Sequence, residues 1–153
     1  PRLCTLGRHR ARHRAVNEFL LDTNVVSELG KGSRADPGVI DFVDRHPAES
    51  FWLSVIVIGE LHRGIELLRR RDPASAEQLE PWFLELVEQY GERILPVSSA
   101  IAVRWGALGI PDPLPVADAL IAATALEHAL VVVSRNVDDI ERSGVECLNP
   151  FTG

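Results

Sequence analysis

Two short apolar runs end abruptly in polar residues, and the rest of the chain is patterned around them. Phe19, Leu20 and Leu21 are followed by Asp22, Thr23 and Asn24, while Leu-Val-Val-Val at 130–133 is followed by Ser134, Arg135 and Asn136. Such runs are too short for helices and lack polar alternation, so both read as strands buried on both faces of a parallel sheet. Phe51-Trp-Leu53 and Arg93-Ile-Leu95 predict two more strands, and Val145-Glu-Cys-Leu148 a last edge strand. Between them the apolar period lengthens to that of helices, predicted over 25–29, from Pro37 through Val43, from a Ser54 cap to about Arg71, and over 76–90, 100–108 and 116–128. Strands alternating with helices predict an α/β fold with a central, mainly parallel sheet. In such sheets ligands bind at the carboxyl edge of the strands, where Asp22 falls. The competing reading of Asp22 is a plain helix cap.

Two helices carry acids where apolar residues are expected. Taking about 100° per residue, Glu60 falls in an arc shared with Ile56, Val57, Leu61, Gly64, Leu67 and Leu68, which predicts a glutamate pointed toward the core. A buried carboxylate needs a compensating partner, either a cation such as Arg63 or Arg71 or a bound metal. Gly64, one turn on, removes a side chain beside it and leaves room for a ligand or a close-packed neighbour. The helix at 116–128 is apolar all round except for Asp118, Thr124 and its far end, and should be central and buried. Asp118 has Ala119, Ile121, Ala122, Ala125 and Leu126 on its side, although an aspartate here would also favour the helix dipole.

Composition narrows the class. A chain of 153 residues with 46% hydrophobic content suits one core. No window approaches the roughly 20 apolar residues of a membrane span, and no secretory signal is visible, so a soluble, cytoplasmic protein is expected. Cys4 and Cys147 are the only cysteines, without zinc-ligand spacing, and Lys31 is the only lysine. Gly30-Lys-Gly-Ser33 fails as a phosphate loop, because Val25 stands where GxxxxGK needs a glycine and Gly32 where a hydroxyl must follow the lysine. Residues 1–18 hold five arginines against one glutamate and read as a disordered extension, either an RNA-binding arm or a mis-assigned start. The remaining residues, 19–153, hold 11 basic and 21 acidic side chains, near −10 in net charge. A body this acidic does not coat itself with nucleic acid, so cations must mediate any such contact.

Asp22, Glu60, Asp118 and then Asn136 or Asp139 are far apart in sequence, yet a parallel α/β sheet can assemble them. Crowded carboxylates repel unless divalent cations sit among them. Oxygen donors without histidine or thiolate select Mg²⁺ or Mn²⁺, and such an ion keeps waters and accepts phosphate oxygens, which suits phosphodiester hydrolysis.

Four segments, Leu21-Asp-Thr-Asn-Val-Val-Ser-Glu28, Gly59-Glu-Leu-His-Arg-Gly-Ile65, Ala117-Asp-Ala-Leu-Ile-Ala-Ala-Thr-Ala125 and Val133-Ser-Arg-Asn136, resemble the PIN-domain ribonucleases, and within them the VapC toxins and FitB-like subgroup. The resemblance covers about residues 19–151. It implies a three-layer α/β/α fold and a Mg²⁺- or Mn²⁺-dependent endoribonuclease, the toxin of a VapBC-type module. It further implies a homodimer or a heteromeric complex with a VapB-type antitoxin. Asp22, Glu60 and Asp118 match its three acidic metal positions. The fourth position departs from the pattern: Asn136 stands where many relatives have aspartate, and Asp139 is the substitute candidate. Thr23, Asn24 and Ser134 are expected to orient the ligands or a water. Arg69, Arg70 and Arg71 are expected to face RNA, with a solvated helix end as the plain alternative. A phosphatase using Asp22 as nucleophile lacks its second aspartate and downstream lysine, and a serine hydrolase lacks GxSxG. The remaining alternative is a PIN-like module that binds RNA or a partner without cutting it.

Overall fold

A computed structural model describes residues 17–153, so nearly all of the expected basic extension over 1–18 lies outside the described residues. The five strands are β1 (Phe19–Leu21), β2 (Phe51–Ser54), β3 (Ile94–Leu95), β4 (Val131–Val133) and β5 (Cys147–Leu148). The helices are α1 (Thr23–Leu29), α2 (Pro37–Asp44), α3 (Val55–Arg71), α4 (Pro73–Tyr90), α5 (Ser99–Ala107), α6 (Val116–His128) and α7 (Val137–Glu141). The strands form one sheet in the order β3-β2-β1-β4-β5, and every pairing is parallel. The predicted elements are therefore present, with α7 added and α4 beginning at Pro73 rather than at residue 76. Asp72 explains the earlier start: its carboxylate accepts from the Ser75 N–H at 3.1 Å, capping a helix that opens on proline.

Parallel strands with helical crossovers must bury both faces, and the central pair does. Phe19, Leu20 and Leu21 are at most 2% exposed, as are Val132 and Val133. Full burial of such a side chain contributes on the order of 1.5–3 kcal/mol, which makes β1 and β4 the anchor of the fold. Phe19 and Phe51 are register partners and share a face, where Phe42 and His46 from α2 and its C-terminus pack with them. The Phe19 ring lies 5.1 Å from Phe42 and 4.7 Å from His46, both edge-on. Among the helices, α1, α3 and α4 pack in sequence on one another, and α5 packs on α6 and α6 on α7, giving helical layers about the sheet.

The winding fixes where function can sit. From β1 the chain moves outward through β2 to β3, then returns to the other side of β1 as β4. The direction of winding thus reverses between β1 and β4, and at such a switch point the outgoing loops part to leave a crevice at the carboxyl edge. Asp22 and Ser134 occupy that edge. The Asp22 N–H donates to the Val133 carbonyl at 3.0 Å, and the Ser134 N–H to the Leu148 carbonyl at 2.9 Å.

Candidate active site

Asp22 leaves β1 with extended backbone and becomes the cap of α1, so the capping and ligand-edge readings describe one residue. Its carboxylate is 3% exposed and surrounded by donors. Oδ1 accepts from the Thr23 N–H at 2.7 Å; Oδ2 accepts from the Ser134 hydroxyl at 2.6 Å and from the Asn24 amide at 3.1 Å. The same Asn24 amide donates to Ser134 Oγ at 3.1 Å, and Asn24 Oδ1 accepts from the Arg135 N–H at 3.1 Å. Ser134 Oγ also accepts from the Asn136 N–H at 2.9 Å. Residues 110 apart are thereby tied into one network across the β1–β4 seam. The expected orienting roles of Asn24 and Ser134 have a geometric basis here, since two donors on one oxygen fix the carboxylate plane.

Glu60 and Asp118 approach from α3 and α6. Thr23 donates through its hydroxyl to Glu60 Oε2, linking the second turn of α3 to the start of α1. One expectation needs correction: Glu60 is exposed rather than pointed into the core. The buried stripe of α3 is Val57, Leu61 and Ile65, a strict spacing of four that leaves Glu60 on its shoulder, while Leu67, placed in the same arc, is 57% exposed. No arginine pairs with Glu60 among the described residues; Thr23 takes that place. Asp118 is half-buried in the first turn of α6, whose Ala119 and residues 121–125 are buried as expected.

Electrostatics records the convergence. Burial pushes the Asp22 carboxyl above the ordinary aspartate range, against which the Ser134 and Thr23 donors pull it down; the Glu60 charge then adds to the rise. Burial also raises Asp118, and the charges of Asp22, Glu60 and Asp139 raise it further. These carboxylates therefore form a mutually repelling group at the switch point. Among the described residues no three acids, histidines or cysteines stand close enough together to hold a metal ion by themselves. An open set of carboxylates that still repel one another matches the habit of Mg²⁺, which retains waters and binds through one or two carboxylates. Cys147 is not a rival nucleophile, because burial pushes its thiol up to about 11.

The remaining candidates are distributed unevenly. Asn136 and Asp139 are exposed and line a cavity of about 380 Å³ with Arg135, Asp138 and Asn149. Asp139 lies 3.5 Å from the Arg142 guanidinium, so its charge is shared between that pair and the field at Asp118. Arg69, Arg70 and Arg71 lie at the opposite end of α3 from Glu60, roughly 15 Å away at 1.5 Å per residue. Arg69 is engaged by Glu66 at 3.2 Å and Glu80 at 3.3 Å, leaving Arg70 and Arg71 as the exposed pair. Arg104 is tied to Glu127 at 2.5 Å. Lys31 is likewise committed, at 2.6 Å from Glu28, whose second oxygen accepts from the Asp36 N–H. Sequence patterning did not single out Arg34, and it reads Trp82 as part of the core-packing stripe of α4; both line, with Glu60, a groove of about 360 Å³ between α1, α3 and α4. Nothing in their spacing marks the groove, since it joins three separate segments.

The family model described as PIN domain matches residues 19–144, the span from β1 to the turn before β5. The chain belongs to the PIN-domain family. It is 33% identical to Toxin FitB of Neisseria gonorrhoeae over 140 residues, covering 87% of this chain and 98% of that protein. Plasmid stability protein StbB of Pseudomonas syringae pv. tomato is 32% identical, with the same coverages, and VapC ribonuclease Y4jK of Sinorhizobium fredii is 29% identical, covering 87% and 97%. Among solved structures, FitAB bound to a DNA fragment superposes with a TM-score of 0.77 at 27% identity, covering 86% of this chain and 94% of that one. FitAcB from Neisseria gonorrhoeae gives 0.76 at 29%, covering 86% and 97%. The three-layer α/β/α architecture of the PIN domain accords with the parallel sheet and its flanking helices.

Proposed function

We propose that this PIN domain is an endoribonuclease, the toxin of a VapBC-type module, which hydrolyses RNA phosphodiester bonds at the carboxyl edge of β1 and β4. What supports this reading is membership of the PIN-domain family together with the charges at the switch point, where Glu60 acts on Asp22 and both act on Asp118. Asp22, Glu60 and Asp118 are the residues that would hold Mg²⁺ or Mn²⁺, with Asp139 or the Asn136 amide oxygen at the compromised fourth position. Such an ion, when bound, lowers the pKa of a coordinated water and neutralises charge on the scissile phosphate. The chain's own part is orientation: the Ser134, Asn24 and Thr23 donors fix the Asp22 carboxylate and oppose the rise that burial causes, while Thr23 steadies Glu60. The relatives named FitB toxin and VapC ribonuclease, and the FitAB assembly among the structures, support a toxin held by a VapB-type antitoxin. A homodimer, or a heteromeric complex with that antitoxin, is the form in which we expect it to act. No helix among the described residues is long and apolar enough to cross a membrane.

The test is incubation of the purified chain with total RNA, with and without Mg²⁺, comparing wild type with Glu60→Gln. Cleavage that needs both the ion and Glu60 is the expected result. RNA that is bound and left intact by the wild type would instead favour a PIN-like binding module.

A further inference from the structure

The acidic body poses a physical problem that the acid centre makes worse: an RNA strand must reach a cluster of carboxylates on a domain with a net charge near −10. Cations beside the centre have to be free to meet phosphate. Lys31 is spent on Glu28 and Arg142 on Asp112 and Asp139, while Arg135 lies over the Phe151 ring. Arg34 is held in neither way. It ends the short turn Gly32–Arg34 after α1, is exposed, makes no ion pair among the described residues, and lines the same groove as Glu60. The groove floor is apolar and aromatic: Leu61 and Ile65 are buried, and Trp82 lies so close to Gly30 that a Cβ there would come within 2.9 Å of the ring. Gly64 leaves one wall open, since a Cβ added to it would meet nothing within 4 Å. A free cation, an aromatic side chain and an apolar floor together form the recognition chemistry of single-stranded nucleic acid, in which phosphates meet charge and bases meet aromatic surface.

We infer that the groove between α1, α3 and α4 receives the single-stranded RNA leading into the acid centre, with Arg34 on a backbone phosphate and Trp82 against a base. This rests on the endoribonuclease reading above. Glu60 belongs to both places and joins them: it bonds Thr23 beside Asp22 and also lines the groove. Arg34 is accordingly a positioning residue, and it replaces Arg69 as the cation best placed to act on RNA.

The experiment uses the full chain carrying Asp118→Asn, so that RNA is not consumed, and a fluorescein-labelled single-stranded oligoribonucleotide of mixed sequence. Affinity is measured by anisotropy across salt concentrations. Arg34→Glu should weaken binding about tenfold or more and flatten the salt dependence by about 0.7 in slope, one phosphate contact on a single strand. Arg34→Lys should keep most of both. Gly64→Phe, which fills the groove from open space and improves helix propensity, should cost about tenfold in affinity with no loss of thermal stability. In the active chain, both Arg34→Glu and Gly64→Phe should raise KM more than they lower kcat. A wild type that cuts RNA while these variants leave affinity, slope and KM unchanged overturns the groove assignment alone and leaves the groove to a protein segment. A wild type that neither binds nor cuts RNA overturns the endoribonuclease reading and the groove with it.

Discussion

Asp22 and Asp118 belong to one repelling group, yet the fold treats them oppositely. Asp22 sits at the seam of the two most buried strands, 3% exposed, with both oxygens occupied by donors from Thr23, Asn24 and Ser134. Asp118 sits half-buried on the first turn of α6, without a side-chain donor among the described residues, and feels the charges of Asp22, Glu60 and Asp139. Hydrogen bonds partly offset the burial of the first carboxylate, whereas the second has no side-chain donor among the described residues. A site built this way has one fixed reference point and one adaptable, electrostatically uncomfortable arm. That division suits a cation which must be gripped while it keeps open positions for water and phosphate.

The sharpest way to break the comparison is Asp118→Asn. It should reduce Mg²⁺-dependent RNA cleavage by about a thousandfold or more, as expected for one member of a unit that acts together, and yet raise Tm, because it removes repulsion. The sign follows from the raised carboxyl. Folded Asp118 takes up its proton at a higher pH than the unfolded chain does, so the charged form costs stability at neutral pH, and that cost vanishes once the pH falls below the ordinary value of 3.8. The Tm advantage of the variant is therefore widest near neutrality and closes in acid; an advantage that grew in acid would contradict the geometry.

Ser134→Ala attacks the fixed arm instead. It removes the donor to Asp22 and strands the Asn24 and Asn136 N–H groups that the hydroxyl accepts. Cleavage should fall about 10- to 100-fold, and denaturant unfolding should show a loss of about 1–3 kcal/mol. Of similar size is the effect of Mg²⁺ on thermal stability. Saturating ion at 100 times its Kd should stabilise the wild type by about 2.7 kcal/mol, read as a Tm rise that Asp118→Asn loses. The smallest change belongs to the far end of α3. Arg69→Gln breaks only solvent-screened pairs with Glu66 and Glu80, so stability should move by less than about 1 kcal/mol and RNA cleavage should not respond.

Much of this was legible because strands buried on both faces write themselves as uninterrupted apolar runs, and polar residues that end such runs are conspicuous. β1, β4, Asp22 and Ser134 were readable for that reason. Glu60 shows where the method fails: a helical arc drawn at a fixed angle is wide enough to include its own margin, and only packing against α1 and α4 decides that Val57, Leu61 and Ile65 face inward while Glu60 does not. Arg69 reads like Arg70 and Arg71 in the sequence, which records a charge but not its partner; Glu80 reaches Arg69 alone from a different helix.

From the residues alone follow the α/β pattern, the parallel strands and the three acids on which the proposed hard-cation chemistry rests, since apolar periodicity and donor type are local properties of the chain. The tertiary structure alone decided that Asp22 is clamped while Asp118 is left exposed to its neighbours' charge, and that Arg34, Glu60 and Trp82 share one groove. Those are distances between segments tens of residues apart, and they exist only once winding about the β1–β4 seam has brought the segments together.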